Sequence, residues 1–332
     1  MSFNIIDQSP HVVPMVPPTA SEAFQAVSYT GNGSARSITG GVDAATNGGI
    51  VWIKSTGANI HNVYDTERGP TNYFNLDLGG NGVTNANTLT AFNSNGFNLG
   101  TDAIVNANAQ SFMAYCFMQG YKFLDVISYT GTSGVLDLSH SLGALPGMCF
   151  FKRIGAAERT YVFHKDAGSF VSGNTYTKGL ATDETWEGQT STRAFLHSTW
   201  SSTTTLTINS DNSWINSNGA TRYCYAFAAE TSDLIKCGTY TGTAATLQIN
   251  CGFTGNARFV LIKRIDAAGE WYLFDATRGI VSGNDPYFLI TTAAQITGTD
   301  YIDPYTTGFE LSAAGSATVN ISGGVYVYMA IA

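Results

Sequence analysis

At 332 residues the chain is too long for one ordinary hydrophobic core. Only 12% of its residues are charged and 12% are aromatic, with Gly, Ser, Thr and Asn abundant, which argues against a helical protein and for an all-β one. A formal charge of -8 offers no positive face to phosphates and argues against general nucleic-acid binding.

Residues 1–26 hold four of the eight prolines, Pro10, Pro14, Pro17 and Pro18, with no helical or strand period, so they read as an extended arm. Phe3, Ile5, Ile6, Val12, Val13, Met15 and Val16 make this arm too apolar for a typical disordered leader, and we expect it to dock on another surface. The polar residues after Met1 resemble no signal peptide, and no run is long enough to predict a membrane-spanning helix.

From residue 27 onward four phrases recur in the same order three times, which divides the chain into repeats at 27–119, 126–230 and 236–332. Each repeat opens on Ser28-Tyr29-Thr30-Gly31, Ser128-Tyr129-Thr130-Gly131 or Thr239-Tyr240-Thr241-Gly242. An apolar run ending in Lys54, Lys152 or Lys263 follows, and it predicts a strand buried on both faces with the lysine emerging at its end. The third phrase places Asp65 and Arg68 before Gly69, and Asp275 and Arg278 before Gly279; the second repeat has His164 and Ala167 instead. We read the Asp–Arg pairs as internal braces of a turn, and on that reading Arg278→Ala costs about 1 kcal/mol. The repeats close on Val105-Asn106, Ile215-Asn216 or Val319-Asn320 and then an aromatic strand, with Phe112, Tyr223 and Tyr326 heading the matched stretches. Asn/Gly turns between short strands predict three tandem β-sandwich, jelly-roll-like domains.

The residues supply little for catalysis. Five histidines are scattered with no His-x-x-x-His pair, and no nucleophile elbow or phosphate loop occurs. Asp65 with Glu67, or Asp183 with Glu184 and Glu187, could form a glycosidase pair, but adjacency in sequence does not give the facing placement such a pair needs. Residues 210–213 lack the glycine and distal glutamate of a calcium loop. We therefore expect no enzyme, no metal and no cofactor. The five cysteines are odd in number and show no Cys-x-x-Cys spacing, and we expect buried free thiols formed in a reducing cytoplasm.

Together, the Tyr-Thr-Gly opening, the apolar run ending in lysine, the Phe-Asp-x-x-Arg-Gly loop, the turns before Phe97 and Phe309, and the Val-Asn closing resemble a repeat domain of structural proteins of tailed bacteriophages, many of them marine or cyanobacterial. The resemblance covers residues 27–332 and is weakest in the middle of the second repeat. It implies a virion component of tail, fibre, baseplate or head decoration, assembled in the host cytoplasm with other virion proteins and as a homo-oligomer, with no membrane insertion. It carries over no catalytic residue. The alternative is a carbohydrate-binding or glycan-cleaving adhesin in which Trp186, Trp200 and Trp214 stack on a host surface glycan; core and loop packing is the plainer role for those tryptophans.

Overall fold

The computed structural model describes residues 16–168, 170–171, 175–176, 178–185, 189–190, 196–208 and 213–332. Phe3, Ile5, Ile6, Val12, Val13, Met15 and Trp186 lie outside the described residues, as does the side chain of Trp200. The fold is predominantly β, built of antiparallel sheets.

The strand pairing recurs along the chain. In the first large sheet the opening strand Phe24–Thr30 pairs with the closing strand Ser111–Met118, which pairs with Gly49–Ser55; Asn62–Asp65, Asn72–Asn75 and Val83–Thr84 follow in order. The second has Leu124–Thr130, Thr221–Ala228, Pro146–Arg153, Tyr161–His164, Lys178–Ala181 and Gln189–Thr190 in the same places. The third has Ile235–Thr241, Val325–Ile331, Phe259–Arg264, Trp271–Asp275 and Tyr287–Leu289, with Glu230–Thr231 added at the near edge. A three-stranded sheet accompanies each: Arg36–Thr39, Gly96–Leu99 and Leu89–Asn93 in the first repeat.

Period-two alternation decides what each face of a large sheet covers. Along Ser111–Met118, Phe112, Ala114 and Cys116 pack with Ile38, Phe97 and Leu99 of the small sheet. Met113, Tyr115 and Phe117 point the other way, into a core that also takes Phe150, Tyr225 and Phe227 from the second repeat and Phe259, Leu261, Met329 and Ile331 from the third. Phe117 lies 5.6 Å from both Phe227 and Phe259, so the three large sheets share one apolar centre. All five cysteines are free and buried.

The recurring opening and closing phrases are two halves of one joint. The hydroxyls of Tyr29, Tyr129 and Tyr240 donate to the carbonyls of Val105, Ile215 and Val319 at 2.8, 2.7 and 2.6 Å. The side chains of Asn106, Asn216 and Asn320 accept from the backbone N–H groups of Asn32, Thr132 and Thr243. Gly31, Gly131 and Gly242 are fixed by the same crossing, because a Cβ there would sit 2.2 to 2.3 Å from a carbonyl oxygen of the closing turn. Gly242→Ala should lower stability by about 1–3 kcal/mol in a denaturant titration, the scale of overpacking against a backbone that cannot yield; an unchanged midpoint would show that the turn moves aside freely.

Two expectations change. The first repeat begins before residue 27: Thr19 opens a single helical turn, Ala20–Ala23, and the strand starts at the fully buried Phe24. In the second closing strand Arg222, not Tyr223, matches Phe112 and Tyr326, since Tyr29, Tyr129 and Tyr240 face Phe112, Arg222 and Tyr326. A one-residue slip exchanges the faces of a strand, so Tyr223 leaves the ring-stacking position that Phe112 and Tyr326 hold against Tyr29 and Tyr240, at 5.2 and 4.9 Å.

Candidate functional site: the three seams

The three terminal lysines of the apolar runs do not emerge into solvent. Lys54, Lys152 and Lys263 are fully buried, because each ammonium finds carbonyl oxygens at the boundary with another repeat. Lys54 Nζ donates to Ser55, Gly57 and, at 2.9 Å, to Ala293 of the third repeat. Lys152 Nζ donates to Glu158 and, at 2.7 Å, to Gly80 of the first. Lys263 Nζ donates to Gly269 and, at 3.2 Å, to Glu184 of the second. Burial pulls each ammonium down from its ordinary range to about 8.

These contacts run in one direction. A loop of the first repeat lands on the second, a loop of the second on the third, and a loop of the third on the first. Such head-to-tail contacts either close a ring or run on as a filament, and here they close after three steps. The seams are heterologous, and a linear chain can cross only two of them covalently.

The Asp–Arg pairs lie on two of these seams. Asp65 accepts from the Arg68 backbone N–H at 2.9 Å and from its guanidinium, and it also takes a 2.8 Å hydrogen bond from the Tyr225 hydroxyl of the second repeat. Asp275 repeats the arrangement with Arg278, at 3.0 Å to the backbone and 2.6 Å to the guanidinium, and with Tyr115 of the first repeat at 2.8 Å. Both carboxylates are fully buried. Burial drives Tyr115 and Tyr225 far above the usual phenol range, so both hydroxyls stay donors. The pairs therefore brace their own turns and anchor the neighbouring repeat with the same carboxylate.

At the seam between the second and third repeats the residues change together. His164 stands where the aspartates do, and Met329 stands where Tyr115 and Tyr225 do, by the strand register. His164 Nδ1 accepts the Asp166 backbone N–H at 3.1 Å, so Nε2 carries the proton and donates to the Tyr328 carbonyl at 3.0 Å. His61 is wired alike on the seam of the first and third repeats. Its Nδ1 accepts the Trp52 indole N–H at 3.0 Å, and its Nε2 donates to the Leu289 carbonyl at 2.9 Å.

Arg258 clasps the seam that no peptide crosses. Its guanidinium reaches the carbonyls of Ala332, Phe24 and Ala20 at 2.6, 3.0 and 2.5 Å, joining the last strand of the third repeat to the first turn of the first. Nothing in its sequence neighbourhood marks it out, whereas the joint loss of Asp, Arg and Tyr around His164 and Met329 was a readable signal of a changed seam.

The other residues singled out from sequence are not gathered with these. Trp214 is half-buried and lies parallel to Tyr161 with ring centroids 5.2 Å apart, so one of its faces is already covered. Asp183 and Glu184 both pair with Arg159. Val16 is exposed, beside a groove of about 510 Å³ lined by residues including Pro17, Pro18, Asp43 and Tyr121. Among the described residues no group of three or more His, Cys, Asp or Glu side chains could hold a metal ion, and no helix is long and apolar enough to cross a membrane. At the shared centre, a cavity of about 30 Å³ is lined only by apolar and aromatic side chains such as Trp52, Phe74, Phe150 and Met329. Space of that size without polar partners suits neither a substrate nor ordered water.

Comparison with curated proteins finds no match. A family profile, by contrast, matches residues 19–123 and then 120–332, its first segment beginning at the turn that opens the first repeat and ending just beyond its closing strand. The chain thus belongs to the family described as a domain of unknown function, DUF7483.

Proposed function

We propose that this chain is a non-enzymatic structural protein of a tailed bacteriophage virion, in the tail, fibre, baseplate or head decoration. In this reading three β-sandwich domains close into one ring and the N-terminal arm docks on other virion proteins. The observation that carries it is where the recurring residues go. The lysines, the Asp–Arg–Tyr groups and the Tyr–Asn joints are all spent on seams and strand crossings. A protein whose repeated chemistry serves its own closure is a building block. The jelly-roll reading is supported by strand order, with Phe24–Thr30, Ser111–Met118 and Gly49–Ser55 adjacent in one sheet and Arg36–Thr39 and Gly96–Leu99 adjacent in the other. The resemblance of the recurring phrases to those of phage structural proteins supports a place on the particle, and a net charge of -8 suits an exterior that must not bind nucleic acid.

Mass spectrometry of purified particles from the phage that encodes the chain tests this reading. The chain should be present at a fixed ratio to the other structural proteins, and deletion of residues 1–15 should leave it folded but missing from particles. Purified particles that lack the full-length chain would overturn the proposal.

A further inference from the structure

The two seams that flank the third repeat share a feature that the remaining seam lacks among its described contacts. At each, a histidine donates from Nε2 to a carbonyl of the third repeat: His61 to Leu289 and His164 to Tyr328. In both rings Nδ1 already accepts an N–H, from the Trp52 indole or the Asp166 backbone. A second proton would have to sit on Nδ1, facing that N–H, so protonation breaks the arrangement that positions the seam bond. The seam between the first and second repeats is held instead by Tyr225 on Asp65, Lys152 on Gly80 and Thr182 on Leu76.

We propose that residues 235–332 form a detachable unit, released when His61 and His164 take a second proton, and that the faces so exposed accept the third repeat of a second copy of the chain. The first and second repeats stay joined. The occupant follows from the contacts themselves: a heterologous seam that closes within one chain fits the same element of another copy equally well. Exchanging the first repeat would break both Asp–Arg–Tyr seams, whereas exchanging the third breaks one of them and the His164–Met329 seam. Between the strands Thr221–Ala228 and Ile235–Thr241 the crossing segment must straighten to let the third repeat leave.

Burial of both rings, joined at His61 by neighbouring positive charge, favours release in acid. His61 is faced by Lys54 and by Arg278 of the third repeat, both of which oppose a further positive charge, and its backbone N–H is held by Asp77. His164 is faced by Asp166, which favours protonation, and Lys165, which opposes it; from the third repeat it meets the Tyr328 carbonyl. Burial pulls His61 down to about 3 and His164 to about 4, below the ordinary 6.5. Since the folded values lie below the unfolded one, the unfolded or opened state binds more protons in between. The contribution of these histidines is therefore full above about pH 6.5 and is lost as pH falls toward 4 and 3.

The test mixes equal amounts of unlabelled and ¹⁵N-labelled full-length chain at high concentration, holds them at about pH 4, returns them to pH 7 and reads native mass spectra. Mixed-label dimers should appear well above a control kept at pH 7, and the His61→Gln/His164→Gln double variant should form them at the control level. Hydrogen exchange of the wild-type chain at the same acid pH provides a readout that does not depend on the variant folding. Protection should fall first around Leu289 and Tyr328 and persist around Asp65 and Tyr225. Absence of mixed dimers, equal exchange in the double variant, or simultaneous loss of protection at all three seams would overturn the proposal.

Discussion

Asp275→Ala should destabilise the protein by about 3–5 kcal/mol, several times what a brace in an exposed turn would cost. The change removes the charged acceptor of a guanidinium whose side chain is only 7% exposed, leaving it the neutral Gln295 side chain and the Tyr115 hydroxyl, which itself loses its own acceptor. Arg278 also lies 3.9 Å over the Phe288 ring of its own repeat, and its guanidinium donates across the seam to the Tyr115 hydroxyl at 3.1 Å. Asp65→Ala should behave alike, because Arg68 is equally enclosed and lies 4.7 Å over Phe74. Thermal or denaturant unfolding decides between the two pictures. A loss near 1 kcal/mol would return the pair to a local role and detach it from ring closure.

Phe117→Ala should cost about 3–5 kcal/mol as well, but by a different route, the cavity left by a large buried ring. Phe117 touches Phe24 of its own repeat at 5.0 Å and Phe227 and Phe259 of the other two at 5.6 Å. No single repeat owns this position. Calorimetry should therefore show one transition that moves as a whole, with all three repeats following. Two resolved transitions, of which only one shifts, would mean that the repeats unfold independently despite the shared centre.

Much of this architecture was legible in the residues because its parts are local or repeated. The Tyr-Thr-Gly and Val-Asn phrases marked real joints, and Asp with Arg three residues later does close a turn. Period-two spacing along the last strand also sends Tyr326 and Tyr328 into one core and Val327 and Met329 into the other. What could not be read was the pairing of distant residues. Lys54 meets the Ala293 carbonyl and Arg258 meets those of Ala20 and Phe24. Backbone carbonyls accept from any sequence, so a lysine bound for them looks like one bound for water. Arg222 was misplaced because Tyr223-Cys224-Tyr225 imitates the aromatic spacing of the other closing strands while standing one residue out of register. The cost expected for Arg278→Ala counts the turn alone, and a turn gives no sign that Tyr115 of another repeat will accept from the same guanidinium.

Ring closure also sets an order on synthesis. Chains emerge from the ribosome N-terminus first, and each repeat carries contacts of its own between large and small sheets, so the first can form early. Its other face, with Trp52, Met113, Tyr115 and Phe117, has no complete cover until the strand at Phe259–Arg264 and the loop at Ala293 have been made. For most of translation that apolar face is open to whatever is nearby, including the same face of a neighbouring nascent chain. The last contacts to form are also those most distant in sequence, which slows closure by the entropy of the long intervening loop.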